Sequence, residues 1–260
     1  MSYRTLDVST DPRGVASVTL NLPDRRNALS ALMMAELTEM AGTLGAAIET
    51  RAIVLKGAGK TFCAGGDLDW MKAQIDADRE TRMIEARKLA EMLRALNEMP
   101  TPLIGRIHGG AFGGGVGMAC VCDVAIASAE TKFALTETRL GLIPATIGPY
   151  VIARMGEGRA RRVFMSSRVF DAQEAASLGI IAKAVDADDL DTAVEAEIAP
   201  YLSVAPGAVG ASKALARALG ARIDDAVIDE TIRRLADQWE SEEADHGISA
   251  FLAKEKPRWA

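Results

Sequence analysis

Apolar and polar positions alternate with a period of two along residues 14–22, GVASVTLNL, as in a strand with one face buried. Residues 52–57, AIVLKG, form a short apolar run ending on glycine, which predicts a buried strand. Between them, SALMMAELTEMAGTLGAAIE (residues 30–49) repeats its apolar side chains at helical spacing behind Ser30, whose hydroxyl suits an N-cap. Strand, helix, strand is the first unit, and it repeats. A second helix over residues 80–99 stops at Pro100 and Pro102, where the fixed proline ring ends helical bonding, and PLIGRIHG (102–109) resumes as strand. DVAIAS (123–128) supplies the next strand, and beyond Gly148 the pattern is mostly helical, with one last strand over residues 179–185. GEGRARR (156–162) has the spacing of a helix's solvent face. From Pro206 onward three helices follow one another, separated by glycine or charged turns. They have faces to bury and little sheet to bury them on, so the expectation is that they pack against neighbouring subunits. The predicted class is α/β with a helical C-terminal appendage.

At 260 residues, a quarter charged and about half apolar, the chain is long enough to bury a sizeable core and is globular in composition. The formal charge of −6 argues against a broad nucleic-acid footprint, which needs a basic face, but leaves room for a small basic patch for one ligand's phosphates. Cys63, Cys120 and Cys122 are too few and too close for a disulfide framework, and their spacing is no zinc pattern, so reduced thiols and no metal are expected. The opening MSYRTLDVSTDPRG lacks signal and transit character, and GVGMACVCDVAIASA is only about 15 residues against the roughly 20 of a membrane span. A cytoplasmic protein with no membrane partner is the expectation.

Six glycines fall in the ten positions from His108 to Gly117. Each costs roughly 0.5–1 kcal/mol relative to alanine inside a regular element, so the backbone itself must be needed there. GAGKT (57–61) is not a phosphate-binding loop, because Val54 stands where its opening glycine belongs, and the glycine cluster misses a dinucleotide fingerprint at Met118. His108 and His246, the only histidines, lie in no nucleophile-elbow pattern. What remains is a strand-to-helix turn with free N–H groups at a helix start, which favour negative charge. FCAGGDLDWM (62–71) has the same character. Two such turns aimed at one oxygen make an oxyanion hole, each donor contributing roughly 3–4 kcal/mol to a transition state.

FCAGGDL, GGAFGGGVGMACVCD and KFALTETRLGLIP, in this order and spacing, resemble the enoyl-CoA hydratase/isomerase (crotonase) superfamily. The resemblance runs from LNLPDRRNALS through FMSSRVFDAQEAASLGII to SAFLAKEKPRW. It implies a crotonase-like spiral of ββα units over residues 1–203 and a C-terminal helical trimerisation region over 204–260, giving a homotrimer or a hexamer built as a dimer of trimers. It implies an acyl-CoA substrate, with no cofactor beyond the coenzyme A that the substrate carries. The oxyanion donors fall on the backbone N–H groups of Ala64 and Gly114. RRNAL matches the stretch that meets coenzyme A, with Arg25 or Arg26 as the charged partner and Ala28 beside them. Gly66, Asp67 and Leu68 continue the first oxyanion turn, and Trp70 and Met71 are candidates for the acyl pocket's apolar wall. Phe251 and Lys254 match positions that contact coenzyme A from an adjacent subunit.

Of the two glutamates that hydratases of this family carry, the second falls on Glu137 and the first on Gly117, which cannot transfer a proton. Glu137 sits among Phe133, Leu135, Leu140, Leu142 and Ile143, so burial should raise its pKa toward neutrality; the alternative is a surface glutamate paired with Arg139 or Arg161. One carboxylate can serve as base and then as acid. A single glutamate here is also the pattern of Δ3,Δ2-enoyl-CoA isomerases. AGGDLDWM, FGGGVG and RLGLIPATIGPYV look more like bacterial methylglutaconyl-CoA hydratases of leucine breakdown, so hydration of a short or branched 2-enoyl-CoA is the preferred reading. Lys72, Arg82 and Arg139 are the cations available to a carboxylated acyl group. A non-catalytic RNA-binding scaffold is the remote alternative, disfavoured by the acidic balance.

Overall fold

The computed structural model describes residues 3–260. Six strands make the main sheet: β1 (Leu6–Thr10), β2 (Val15–Leu20), β3 (Ala52–Gly57), β4 (Leu103–Ile107), β6 (Val124–Ser128) and β9 (Lys183–Val185), side by side in that order. β1 and β2 are antiparallel and every other neighbour is parallel, with Ile53 opposite Leu103 and Ile104 opposite Val124. Parallel neighbours need long crossovers, and helices supply them. α1 (Ala31–Thr43) joins β2 to β3, while α2 (Leu68–Ile75) and α3 (Arg79–Glu98) join β3 to β4. Ser30 caps α1 by accepting from the Met33 N–H at 3.2 Å.

The unbroken apolar run of β3 follows from burial on both faces. Ile53 and Leu55 face Met33, Leu37, Leu93 and Leu96 of α1 and α3. Ala52 and Val54 face Leu190, Val194 and Ile198 of α8 (Leu190–Ile198) on the other side.

A second sheet of β5 (Gly110–Phe112), β7 (Lys132–Ala134) and β8 (Phe170–Asp171) was not predicted. Strands of two or three residues are too short to display a period, and this sheet is fixed by contacts distant in sequence, such as the Phe133 ring stacked on Phe170 with centroids 5.9 Å apart. β1 was missed because only Leu6 of its five residues is buried. α4 (Gly114–Val121), α5 (Gly148–Met155), α6 (Glu157–Phe164) and α7 (Ala172–Leu178) complete the core.

The tail forms the three predicted helices, α9 (Pro206–Leu219), α10 (Asp225–Trp239) and α11 (Glu242–Ala253). Two of them correct the expectation that their faces await a neighbour. Ile228 and Ile232 of α10 bury against Ala86 and Ala90 of α3, and Ala244 and Ile248 of α11 bury with Leu142 and Trp239. α9 buries no residue. Among the described residues no helix is long and apolar enough to cross a membrane.

Candidate active site

β3 delivers the chain into the turn at Ala64, and β4 and β5 deliver it to Gly113. The two turns are stitched together: the Cys63 N–H donates to Gly110 O at 3.1 Å, and the Phe112 N–H returns to Cys63 O at 3.0 Å. Two glycines permit this approach. Gly65 has φ +94°, and a Cβ there would stand 3.1 Å from Phe112 O. Gly113 has φ +48°, and its Cβ would stand 3.1 Å from Glu137 Oε1 and 3.9 Å from Gly65 Cα. Positive φ is open to glycine without the Cβ penalty, so the sequence marks both turns.

Gly114 opens α4, so its N–H is one of the first-turn amides that helical bonding leaves unpaired. Ala64 differs. Its N–H donates to Arg26 O at 3.0 Å, which was not foreseen when both amides were assigned to one oxygen. The acceptor is fixed by a left-handed pair, Arg26 and Asn27, both at φ 52°. Buried Asn27 locks this turn: its Oδ1 accepts from the Leu22 N–H at 2.9 Å, and its Nδ2 donates to Ala58 O at 2.8 Å and Thr61 O at 2.7 Å. A substrate oxygen must share the Ala64 amide with Arg26 O or displace it.

Ala64, Gly114 and Glu137 line one cavity of about 630 Å³, a volume usual for a small-molecule site. A larger cleft, about 1270 Å³, lies under α9 and is lined by none of Ala64, Gly114 and Glu137. Glu137 begins the 3₁₀ turn Glu137–Leu140. Its Oε2 is buried without a hydrogen-bond partner, and burial pushes its carboxyl pKa up to about 7, against a smaller opposing effect of backbone hydrogen bonds from its own turn. Neither arginine of the surface reading pairs with it, since Arg139 donates to Ser167 O and Arg161 pairs with Glu157. A Cβ on Gly117 would lie 2.8 Å from Ile147 Cγ2 and 3.6 Å from Leu93 Cδ1, so hydrocarbon fills the place of the missing glutamate.

Arg25, Arg26, Ala28, Gly66, Leu68 and Trp70 line the same cavity. Arg25 is already engaged, its Nη2 lying 2.8 Å from Asp67 Oδ2 and 2.5 Å from Asp69 Oδ2. Arg26 makes no ion pair among the described residues, so of the two it is the cation open to a ligand. Asp67 is not in the wall; it is buried beneath it and caps α2 by accepting from the Asp69 and Trp70 N–H groups. The Trp70 indole donates to Glu85 Oε2 at 3.0 Å, which orients its ring as cavity wall. Phe251, expected to reach a neighbour's coenzyme A, lines the cavity of its own chain. Lys254 stands outside the wall, ending α11 in a left-handed conformation.

Sequence reasoning did not single out Thr146, Ile147, Leu235 or Trp239, which also line the cavity. The first two lie in the RLGLIPATIGPYV stretch that carries the resemblance, though neither is marked there as a cavity residue; nothing local marks the two on α10. The cysteines stay out of the chemistry, since burial pushes each thiol up to about 12. Both histidines are occupied elsewhere: His108 Nε2 meets Gly59 O at 2.9 Å, and His246 Nε2 accepts from the Arg258 N–H.

The family described as enoyl-CoA hydratase/isomerase matches residues 10–260. A short-chain-enoyl-CoA hydratase of Clostridium acetobutylicum is 32% identical over 249 residues, covering 93% of this chain and 92% of that protein. The crystal structure of an enoyl-CoA hydratase from Mycobacterium avium superposes with a TM-score of 0.85 at 31% identity, covering 100% of both chains. That of an enoyl-CoA hydratase from Shewanella pealeana gives 0.80 at 37% identity, covering 98% of this chain and 96% of the other.

Proposed function

The chain belongs to the enoyl-CoA hydratase/isomerase family and has its crotonase fold, and from that premise we propose that it adds water across the C2=C3 bond of a short or branched 2-enoyl-CoA. The observation that carries the reading is a buried carboxylate oxygen without a partner, Glu137 Oε2, on a residue that lines the cavity with Gly114 and Ala64. Ionised Glu137 takes a proton from water as the water oxygen bonds to C3. The π pair moves toward C2 and the thioester oxygen, where the N–H groups of Gly114 and Ala64 stabilise the enolate. Glu137, now protonated, returns the proton to C2, and the carboxylate is restored. Arg26 is the cation for the coenzyme A phosphates.

The acyl group meets hydrocarbon from Trp70, Met71, Leu89 and Ile147, which favours a short or branched apolar chain. For a carboxylated one such as 3-methylglutaconyl, Arg139 is the cation at the cavity; Arg82 is spent on Gln74 O and Ile75 O at the end of α2, and Lys72 is not in the wall. The packing of Ile147 over Gly117 supports a second reading, Δ3,Δ2-isomerisation, in which Glu137 moves a proton between C2 and C4 without water. We also infer that the chain assembles as a homotrimer or as a pair of trimers.

Purified protein mixed with crotonyl-CoA, 3-methylglutaconyl-CoA and a 3-enoyl-CoA separates these readings. Loss of the conjugated thioester's ultraviolet absorbance with either 2-enoyl substrate supports hydration. Faster conversion of the 3-enoyl-CoA than any hydration gives the isomerase; no turnover of any of them rejects both.

A further inference from the structure

We propose that Thr146 positions the attacking water, supplying the second anchor that Gly117 cannot; this rests on the hydratase reading above. Thr146 is 6% exposed and lines the cavity that holds Glu137. Its hydroxyl makes no hydrogen bond among the described residues and is not among the polar atoms sealed from solvent, and the residue lines the cavity. A hydroxyl that is neither sealed from solvent nor held by a protein partner is free to hold a water. Its neighbour Ile147 is the residue that packs over Gly117, which sets the hydroxyl one residue along the loop from the missing carboxylate.

The loop is rigid enough to hold it there. The Ala145 N–H donates to Ile143 O at 2.8 Å, the Gly148 N–H to Ala145 O at 3.1 Å, and the Val151 N–H to Ile147 O at 3.1 Å. Pro149 sits in the first turn of α5, where its fixed φ suits the helix start. A hydroxyl suits the task because it accepts one water hydrogen while the other is aimed at Glu137, leaving a lone pair for C3. Thr146 transfers no proton. It is a positioning residue, and removing it should slow the step that needs water and spare the steps that do not.

The test compares Thr146→Val, close in shape but without the hydroxyl, with Thr146→Ser, which keeps it. Two reactions are followed: hydration of crotonyl-CoA, and exchange of the C2 protons of butyryl-CoA with D2O by NMR, which uses Glu137 and the amides but adds no water. Thr146→Val is expected to lower kcat for hydration roughly 10²-fold, the scale of a misplaced reactant, with KM and the exchange rate within about threefold of wild type on the same scale. Thr146→Ser is expected to restore hydration. Hydration by Thr146→Val at the wild-type rate overturns this inference and leaves the hydratase reading standing. So does parallel loss of hydration and exchange, which marks a structural role. If Thr146→Val does not fold, Thr146→Ala is read by the same criteria. A wild type that exchanges C2 protons yet hydrates no 2-enoyl-CoA overturns the hydratase reading, and this inference with it.

Discussion

Glu137 is held by desolvation, and that fixes how both rate and stability depend on pH. The base must be ionised to accept a proton from water, so kcat/KM for hydration should climb about tenfold per pH unit below about 7 and level off above it. Glu137→Gln removes base and acid together and should cost on the order of 10³-fold in kcat. Its effect on the fold runs the other way. The folded carboxyl titrates near 7 and the unfolded one near 4.5, so the unfolded state ionises first and the native state loses stability as pH rises between those values. Glu137→Gln escapes that loss and should be more stable than wild type at pH 8 by roughly 3 kcal/mol, with the two converging near pH 4. Urea denaturation at both pH values measures it, and equal stability at pH 8 would mean a solvated carboxylate. This residue was legible in the sequence because its apolar neighbours are local. The state of the Ala64 amide was not, because it depends on the left-handed Arg26–Asn27 turn: asparagine favours that conformation among non-glycine residues, but arginine does not, and it is Arg26 O that takes the amide.

Elements meet across the site at the contact between α11 and the turn that carries Glu137. A Cβ on Gly247 would stand 2.6 Å from Leu140 O, so the helix backbone lies directly on the 3₁₀ turn. The same helix brings Phe251 to the cavity. Gly247→Val must push them apart, costing about 1–3 kcal/mol of stability as overpacking does, and shifting the turn should lower kcat at least about tenfold. Gly158→Ala is the control. Nothing lies within 4 Å of its Cβ position on α6, so alanine should add roughly 0.5–1 kcal/mol through helix propensity and leave kcat unchanged. Thermal melts and steady-state kinetics on the pair check both expectations; a Gly247→Val enzyme with wild-type kcat would show that α11 does not set the position of Glu137. Periodicity revealed α11 as a helix but could not reveal its seat, since that contact joins Gly247 to Leu140 across more than a hundred residues. The short strands of the second sheet escaped for the same reason.

For the molecule as a whole, the outlier is α9. α10 and α11 are accounted for inside the chain, whereas α9 exposes Leu219 to 80% and Leu215 to 61%. An amphipathic helix with a solvated apolar face is unusual on an isolated globular protein and ordinary at an interface. This is where assembly should act, and it narrows an expectation that first covered the whole tail. Sedimentation at micromolar concentration should give a mass about three or six times 27.6 kDa. The double variant Leu215→Glu, Leu219→Glu should shift the distribution toward the single chain, because carboxylates desolvated at an apolar contact cost several kcal/mol each. Since Phe251 closes the cavity from within its own chain, the dissociated variant should keep measurable hydration. A monomeric wild type would remove the assembly reading, while an intact oligomer of the double variant would move the interface away from α9. A dissociated variant devoid of activity would mean that residues of a second copy complete the site.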